Sequence, residues 1–179
     1  TPLSMILLHT MFSSHRITCL RAFLLAFALG PVNAASIDHS DLVIHDDGGP
    51  AVWPTPQEIT FTGGKVSLTG NVTIVTDNFK DSATISTVKG VVAAAGGDAV
   101  LASKPSSKGT QIFIGTEAEA GVAVAAAKAL AGNSANGLDA DGYVLASGKY
   151  EQQPSIVING VDTRGTFYAA QTLRQLLAD

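Results

Sequence analysis

The chain has 179 residues, of which 46% are hydrophobic, 15% charged and 6% aromatic, with a formal charge of −4 and a mean hydropathy of +0.27. That length suits one domain of ordinary size and excludes a multidomain machine within this sequence. The longest apolar run, Ala22-Phe23-Leu24-Leu25-Ala26-Phe27-Ala28-Leu29, falls far short of the roughly 18 to 20 residues of a bilayer-spanning helix, so no transmembrane segment is expected.

From Met11 the sequence has the three parts of a secretion signal. His15, Arg16 and Arg21 supply a basic start, residues 22–29 an apolar middle, and Gly30-Pro31 a helix break before the small residues Val32-Asn33-Ala34. Residues 1–34 therefore read as a leader cleaved after Ala34, and the protein is expected to be secreted. Met5 and Met11 are both available as starting residues. Beyond the leader stand nine basic and fifteen acidic residues, a charge of −6. A surface of that sign disfavours nucleic acid and anionic membrane as partners, since both require clustered Lys and Arg. Cys19, the single cysteine, lies in the leader, so no disulfide or thiolate metal site is expected after it. Asn71-Val72-Thr73 is an N-glycosylation triplet, which makes Asn71 a candidate modification site on an exposed turn.

Residues 35–50 carry four Asp, end in Gly48-Gly49-Pro50 and lack a sustained period, as expected of a flexible arm. The ordered domain is expected over 51–179. Two prolines in Val52-Trp53-Pro54-Thr55-Pro56 prevent a helix at its start, and Trp53 is expected to anchor that start on the core. Short β-type runs at 58–62, 66–68 and 72–76, punctuated by Gly63-Gly64 and Gly70-Asn71, predict a small antiparallel arrangement. Over 77–95, Phe79, Ala83, Val88, Val91, Val92 and Ala95 recur with helical spacing up to the stop at Gly96-Gly97. A strand pair is predicted at 99–102 and 111–114. Thr116-Glu117-Ala118-Glu119 has the form of a capping box and opens an Ala-rich helix through Leu130 that Gly132 ends. Strands at 142–146 and 155–158 flank a polar loop. A last helix starts at Asp162 or Thr163, with Phe167, Ala170, Leu173 and Leu177 on one face. Strand pairs between helices predict an α+β fold with a mixed or antiparallel sheet covered by helices on one side, in preference to a doubly wound parallel sheet.

The residues offer little chemistry of their own. His39, Asp41, His45, Asp46 and Asp47 sit in the predicted arm, where a flexible segment holds no preorganised metal shell, and no His-Glu-x-x-His is present. Asp139-Ala140-Asp141-Gly142 lacks the later ligands of a calcium loop. Gly63-Gly64-Lys65-Val66-Ser67 and the run 160–166 lack the spacing of a phosphate loop, and there is no Gly-x-Ser-x-Gly elbow. Asp139, Asp141, Glu151 and Asp162 are the acids closest to a glycosidase pair, but nothing in their spacing forces convergence. No active site and no cofactor are expected in this chain.

Three stretches carry a family resemblance. Val52-Trp53-Pro54-Thr55-Pro56-Gln57, Asp141-Gly142-Tyr143-Val144-Leu145, and the run from Gly160-Val161-Asp162-Thr163-Arg164-Gly165-Thr166-Phe167-Tyr168-Ala169-Ala170-Gln171-Thr172-Leu173 to Leu177 together resemble the N-terminal domain of secreted β-N-acetylhexosaminidases. These form glycoside hydrolase family 84, the hyaluronidase and O-GlcNAcase-like group, and the related family 20. The resemblance covers about 51–179, and the last stretch is its most specific part. It implies an α+β accessory domain ahead of a catalytic (β/α)₈ barrel, where the substrate's acetamido group attacks the anomeric carbon with help from an acidic pair. A barrel takes on the order of 250 residues, which puts the expected catalytic part outside this sequence.

The resemblance further implies that the helix over 163–177 leads into the barrel and packs beside it. Arg164 is then a helix-start or interface residue, and Tyr168, Gln171 and Arg174 lie on or near the surface that the barrel covers. In the competing reading Phe167, Leu173 and Leu177 form an ordinary core face while Gln171 and Arg174 are solvated. The alternative function is a stand-alone extracellular module that binds N-acetylglucosamine-containing glycan, with Trp53, Tyr143, Tyr150, Phe167 and Tyr168 as candidate sugar platforms.

Overall fold

Three apolar triplets organise the fold: Ile112-Phe113-Ile114, Val144-Leu145-Ala146 and Ile156-Val157-Ile158, each buried at all three positions. Successive strand residues point to opposite faces, so a strand buried at every position must be covered on both sides. The computed structural model describes residues 3–10, 52–53, 56–119 and 121–177. In chain order the elements are β1 (Leu3–Thr10), β2 (Glu58–Val66), β3 (Gly70–Val75), α1 (Ser82–Ala94), β4 (Gly97–Ala102), β5 (Thr110–Thr116), α2 (Val122–Ala131), β6 (Tyr143–Tyr150), β7 (Gln153–Gly160) and α3 (Thr163–Leu176), with a 3-10 turn at Glu117–Glu119. Among the described residues the strands form one sheet in the order β2-β1-β6-β7-β5-β3-β4.

The class is α+β and the sheet is mixed. β3, β4, β5 and β7 are mutually parallel where they pair, while β6 is antiparallel to β7 and to β1. Helices cover both faces rather than one, because the triplets leave apolar side chains on each. Ile74, Ile112, Ile114, Ile156, Ile158 and Leu145 pack with α1 and α3. Val75, Phe113, Val144, Ala146 and Val157 pack with Ala123, Ala126 and Ala127 of α2. The alanines let α2 sit close: a Cβ on Gly115 of β5 would lie 3.0 Å from the Ala123 Cβ.

Several local expectations change. The antiparallel arrangement foreseen for the first strands fails at β3, which pairs in parallel with β4 on one side and β5 on the other. The strands foreseen as a pair at 99–102 and 111–114 are thus separated by β3. Gly63-Gly64 does not end a strand; the register between β1 and β2 shifts there, and the glycines are absorbed as a bulge within β2. The helix foreseen from 77 begins at Ser82, because Asp81 caps it, accepting from the Thr84 N–H at 2.8 Å and the Thr84 hydroxyl at 2.6 Å. Glu119 does reach back to the Thr116 N–H at 3.0 Å, but this closes only the 3-10 turn, and α2 starts at Val122 after Gly121. Trp53 is not a core anchor: it is 76% exposed, and its neighbour Val52 is the buried residue. Leu3–Thr10 lies in β1, between β2 and β6; the remainder of the 1–34 leader and the 35–50 arm lie outside the described residues.

Candidate functional site

The beginning of the most specific stretch of the sequence, residues 160–166 of 160–177, forms a latch between the sheet and the start of α3. Asp162 is the helix cap, accepting from the Gly165 N–H at 2.8 Å with one oxygen and from the Asp141 N–H at 3.2 Å with the other. Burial works to raise the Asp162 carboxyl, but the hydrogen bonds from Gly165 and Asp141 and the nearby Arg164 charge outweigh it, so its pKa lies below the ordinary value. Arg164, in the first turn of α3, pairs its Nε with Asp141 Oδ1 at 2.8 Å. Both glycines are there for space. A Cβ on Gly165 would lie 2.4 Å from the Gly142 carbonyl oxygen, and one on Gly160 would lie 2.3 Å from the Thr166 nitrogen. Asp141 itself takes a left-handed φ of 67°, which Asp tolerates better than most residues. Asp141 and Asp162 are thereby brought together as a structural pair. Glu151 lies at the other end of β6, so it does not join them, and Asp139 is exposed.

Behind the latch, the outer sides of α1 and α3 enclose a groove of roughly 560 Å³. α1 contributes small residues, Ala83, Ser86 and Gly90, and α3 contributes Phe167, Gln171 and Arg174. Spacings of three and four residues place each set on one helix face. Gln171 Nε2 donates to the Thr87 hydroxyl at 3.5 Å across the helix pair. Arg174 is exposed, and Tyr168 is half-buried, packed against the core cluster under α1 and α3. Gly90 adds no bulk: a Cβ there would meet nothing within 4 Å. Leu173 is buried, whereas Phe167 and Leu177 are half-buried and line the groove.

The aromatic candidates divide. Tyr143 is buried, its hydroxyl 2.6 Å from the Thr172 hydroxyl on α3. Tyr150 meets Phe113 edge to face at 5.3 Å, and burial with the Glu151 charge raises its phenol above the ordinary value. Phe167 and Tyr168 lean on each other at 6.2 Å. Trp53 alone among them is broadly exposed. Asn71 is also exposed, but within β3 and not on a turn. Among the described residues no three His, Cys, Asp or Glu side chains converge as a metal site; His39, Asp41, His45, Asp46 and Asp47 lie outside them. Sequence reasoning missed Asn159, which is fully buried and accepts from the Ala135 N–H at 2.8 Å while Nδ2 faces the Gly115 carbonyl at 3.4 Å. Its signal was available: a polar residue directly after Ile156-Val157-Ile158 continues a buried strand.

Nine chains among the solved structures are similar to this one. The structure of CpGH84D aligns with a TM-score of 0.58 and 22% identity over 70% of this chain, which spans only 21% of that one. At that identity the likeness is one of fold. No curated protein matches the chain. The family model described as glycosyl hydrolase family 20, domain 2, matches residues 49–179, a stretch that holds the latch, the groove and the three described helices. The chain belongs to this family, as a domain 2 of glycosyl hydrolase family 20.

Proposed function

We propose that the chain is the accessory domain of a secreted β-N-acetylhexosaminidase acting on N-acetylglucosamine-containing glycans, and that its α1–α3 face seats against the catalytic barrel of the same polypeptide. The groove carries this reading. Small residues on α1 leave room for an approaching element, Gln171 and Arg174 offer polar contacts, and Phe167 offers an apolar one, the mixture typical of interfaces between domains. The latch ties the start of α3 to the sheet, and on this reading α3, the last of the described elements, leads into the barrel. On this reading the domain performs no bond-breaking step. Asp141 and Asp162, the two candidate acids that the fold brings together, are committed to Arg164 and to backbone N–H groups, so neither is free to protonate a leaving group or activate water.

The test is turnover of a chromogenic N-acetylglucosaminide. The parent polypeptide is expected to hydrolyse it and this chain alone to be inert; turnover by the chain alone, lost on replacing one Asp or Glu, contradicts the reading. Secretion is tested separately by the mass of the extracellular protein, expected to begin at Ala35. Cleavage there removes β1 and leaves β2 and β6, its two neighbours in the sheet, with edges facing each other. An extracellular protein that retains 1–34 contradicts the leader assignment.

One observation favours a second reading, a stand-alone glycan-binding module: the exposed Trp53 indole offers a flat apolar surface of the kind that stacks on sugars. Calorimetry with N-acetylglucosamine oligomers at millimolar ligand decides it. Heat that disappears in Trp53→Ala supports the module, and absence of heat removes it.

A further inference from the structure

Asn71 and Val100 share a corner of the sheet that no described helix covers. β3 and β4 run in parallel register with Asn71 opposite Asp98 and Thr73 opposite Val100, so these four residues point to one side. Val72 and Ile74, between them, point the other way into the core under α1 and α3. The side that carries Asn71 is the side of α2, yet α2 packs on β5, β6 and β7 and does not extend over this corner. What remains is a concavity of roughly 680 Å³ whose lining includes Asn71, Thr73, Val100, Lys108 and Pro154. Val100 is 58% exposed in it, and Leu101 on the opposite face is 44% exposed. Both belong to β4, which is an edge strand among the described residues and has no Lys or Pro, the kind of edge that recruits another strand unless something blocks it.

We propose that Asn71 carries an N-linked glycan whose first N-acetylglucosamine lies in this concavity with a ring face over Val100, closing the β4 edge to a second chain. The inference rests on the secretion reading, because only a chain on the secretory route meets the glycan donor. Asn71 Nδ2 attacks C1 of a polyprenyl pyrophosphate-linked oligosaccharide; the N–C1 bond forms, the C1–O bond to pyrophosphate breaks, and the amide proton leaves with the released pyrophosphate. Asn71 and Thr73, the acceptor and its hydroxyl partner, fall on the same face, and the intervening Val72 is not Pro. β3 is paired on both sides in the finished sheet, so the addition precedes closure of the sheet. The folded chain then accommodates the sugar because Asn71 is exposed and opens on the concavity. Val100 is its diagonal neighbour across the strand pair, a separation of about 7–8 Å that a pyranose ring bridges.

The experiment expresses the full chain behind a heterologous secretion leader in a eukaryotic host, so that export does not depend on residues 1–34. The secreted protein is expected to carry one glycan, released by peptide N-glycosidase with conversion of Asn71 to Asp. Asn71→Gln and Thr73→Ala lose it, and Thr73→Ser keeps it. Without the glycan, self-association in sedimentation equilibrium is expected to tighten at least about tenfold, and adding Val100→Lys reverses this. A secreted chain with bare Asn71 overturns the proposal, as does a glycan whose loss leaves self-association unchanged. If the native leader fails to export the chain while the heterologous one yields the glycosylated protein, Asn71 is a competent acceptor but the secretion reading falls and takes the glycan of the natural chain with it; a bare Asn71 on a chain that its own leader exports overturns this proposal alone.

Discussion

Gln175 clamps the backbone of Trp53 from both sides: its Oε1 accepts from the Trp53 N–H at 2.8 Å and its Nε2 donates to the Trp53 carbonyl at 3.0 Å. The last turn of α3 thus holds the opening of the domain while the indole stays in solvent. On the proposed seating against the barrel, an exposed Trp held at the end of α3 is suited to contact with that domain.

Trp53→Ala is therefore expected to change the stability of this chain by less than about 0.5 kcal/mol, as for a surface substitution. Gln175→Ala, which removes both clamp bonds, is expected to cost about 1 kcal/mol. Urea unfolding of the two variants checks the ordering. A larger loss for Trp53→Ala means that the indole packs on the core after all.

The sequence made the three helices legible because each carries its own punctuation. Apolar spacing marks α1, Gly132 ends α2, and Asp162 starts α3. Pairing was not legible, since parallel and antiparallel strands draw on the same residues and partners are chosen by packing across the whole sheet. Helix coverage of both faces was written in Ile112-Phe113-Ile114 and Ile156-Val157-Ile158, whose unbroken apolar character requires two covered faces. The polar loop foreseen between β6 and β7 is instead a two-residue hairpin turn. Glu151-Gln152 hides it, because neither residue favours the positive φ angles of 49° and 67° that the turn demands. For the candidate site, the motif at 160–166 announced the start of α3. The groove needed the relative placement of α1 and α3, which no local pattern contains.

That hairpin supplies a second prediction. Replacing Glu151 with Asn and Gln152 with Gly places turn-forming residues at the strained positions and is expected to stabilise the chain by about 1 kcal/mol. Thermal unfolding of the double variant measures it. A lowered midpoint contradicts the assigned turn.

The latch predicts a pH dependence. Asp162 and Asp81 both titrate below the ordinary carboxylate value when folded, Asp81 chiefly through the Thr84 hydroxyl. Each therefore contributes stability that is fully present above its unfolded pKa and lost as pH falls through the folded one. Asp162→Ala is expected to cost about 1 to 2 kcal/mol at neutral pH, the usual range for a lost helix cap, and progressively less as acid protonates the native carboxylate. Urea midpoints across an acidic pH series give the curve; a deficit independent of pH contradicts the role of the charge.

The docking of the α1–α3 face is tested most directly at Gly90. A Cβ there meets nothing within 4 Å, and Gly90 lines the groove. Gly90→Leu is expected to stabilise the chain alone by about 0.5 to 1 kcal/mol through helix propensity, raising its thermal midpoint by a few degrees. In the parent polypeptide the same substitution wedges the groove open, and the midpoint is expected to fall while the junction after α3 becomes more sensitive to protease. A parent protein that gains stability as the chain alone does contradicts the seating of this face on the barrel.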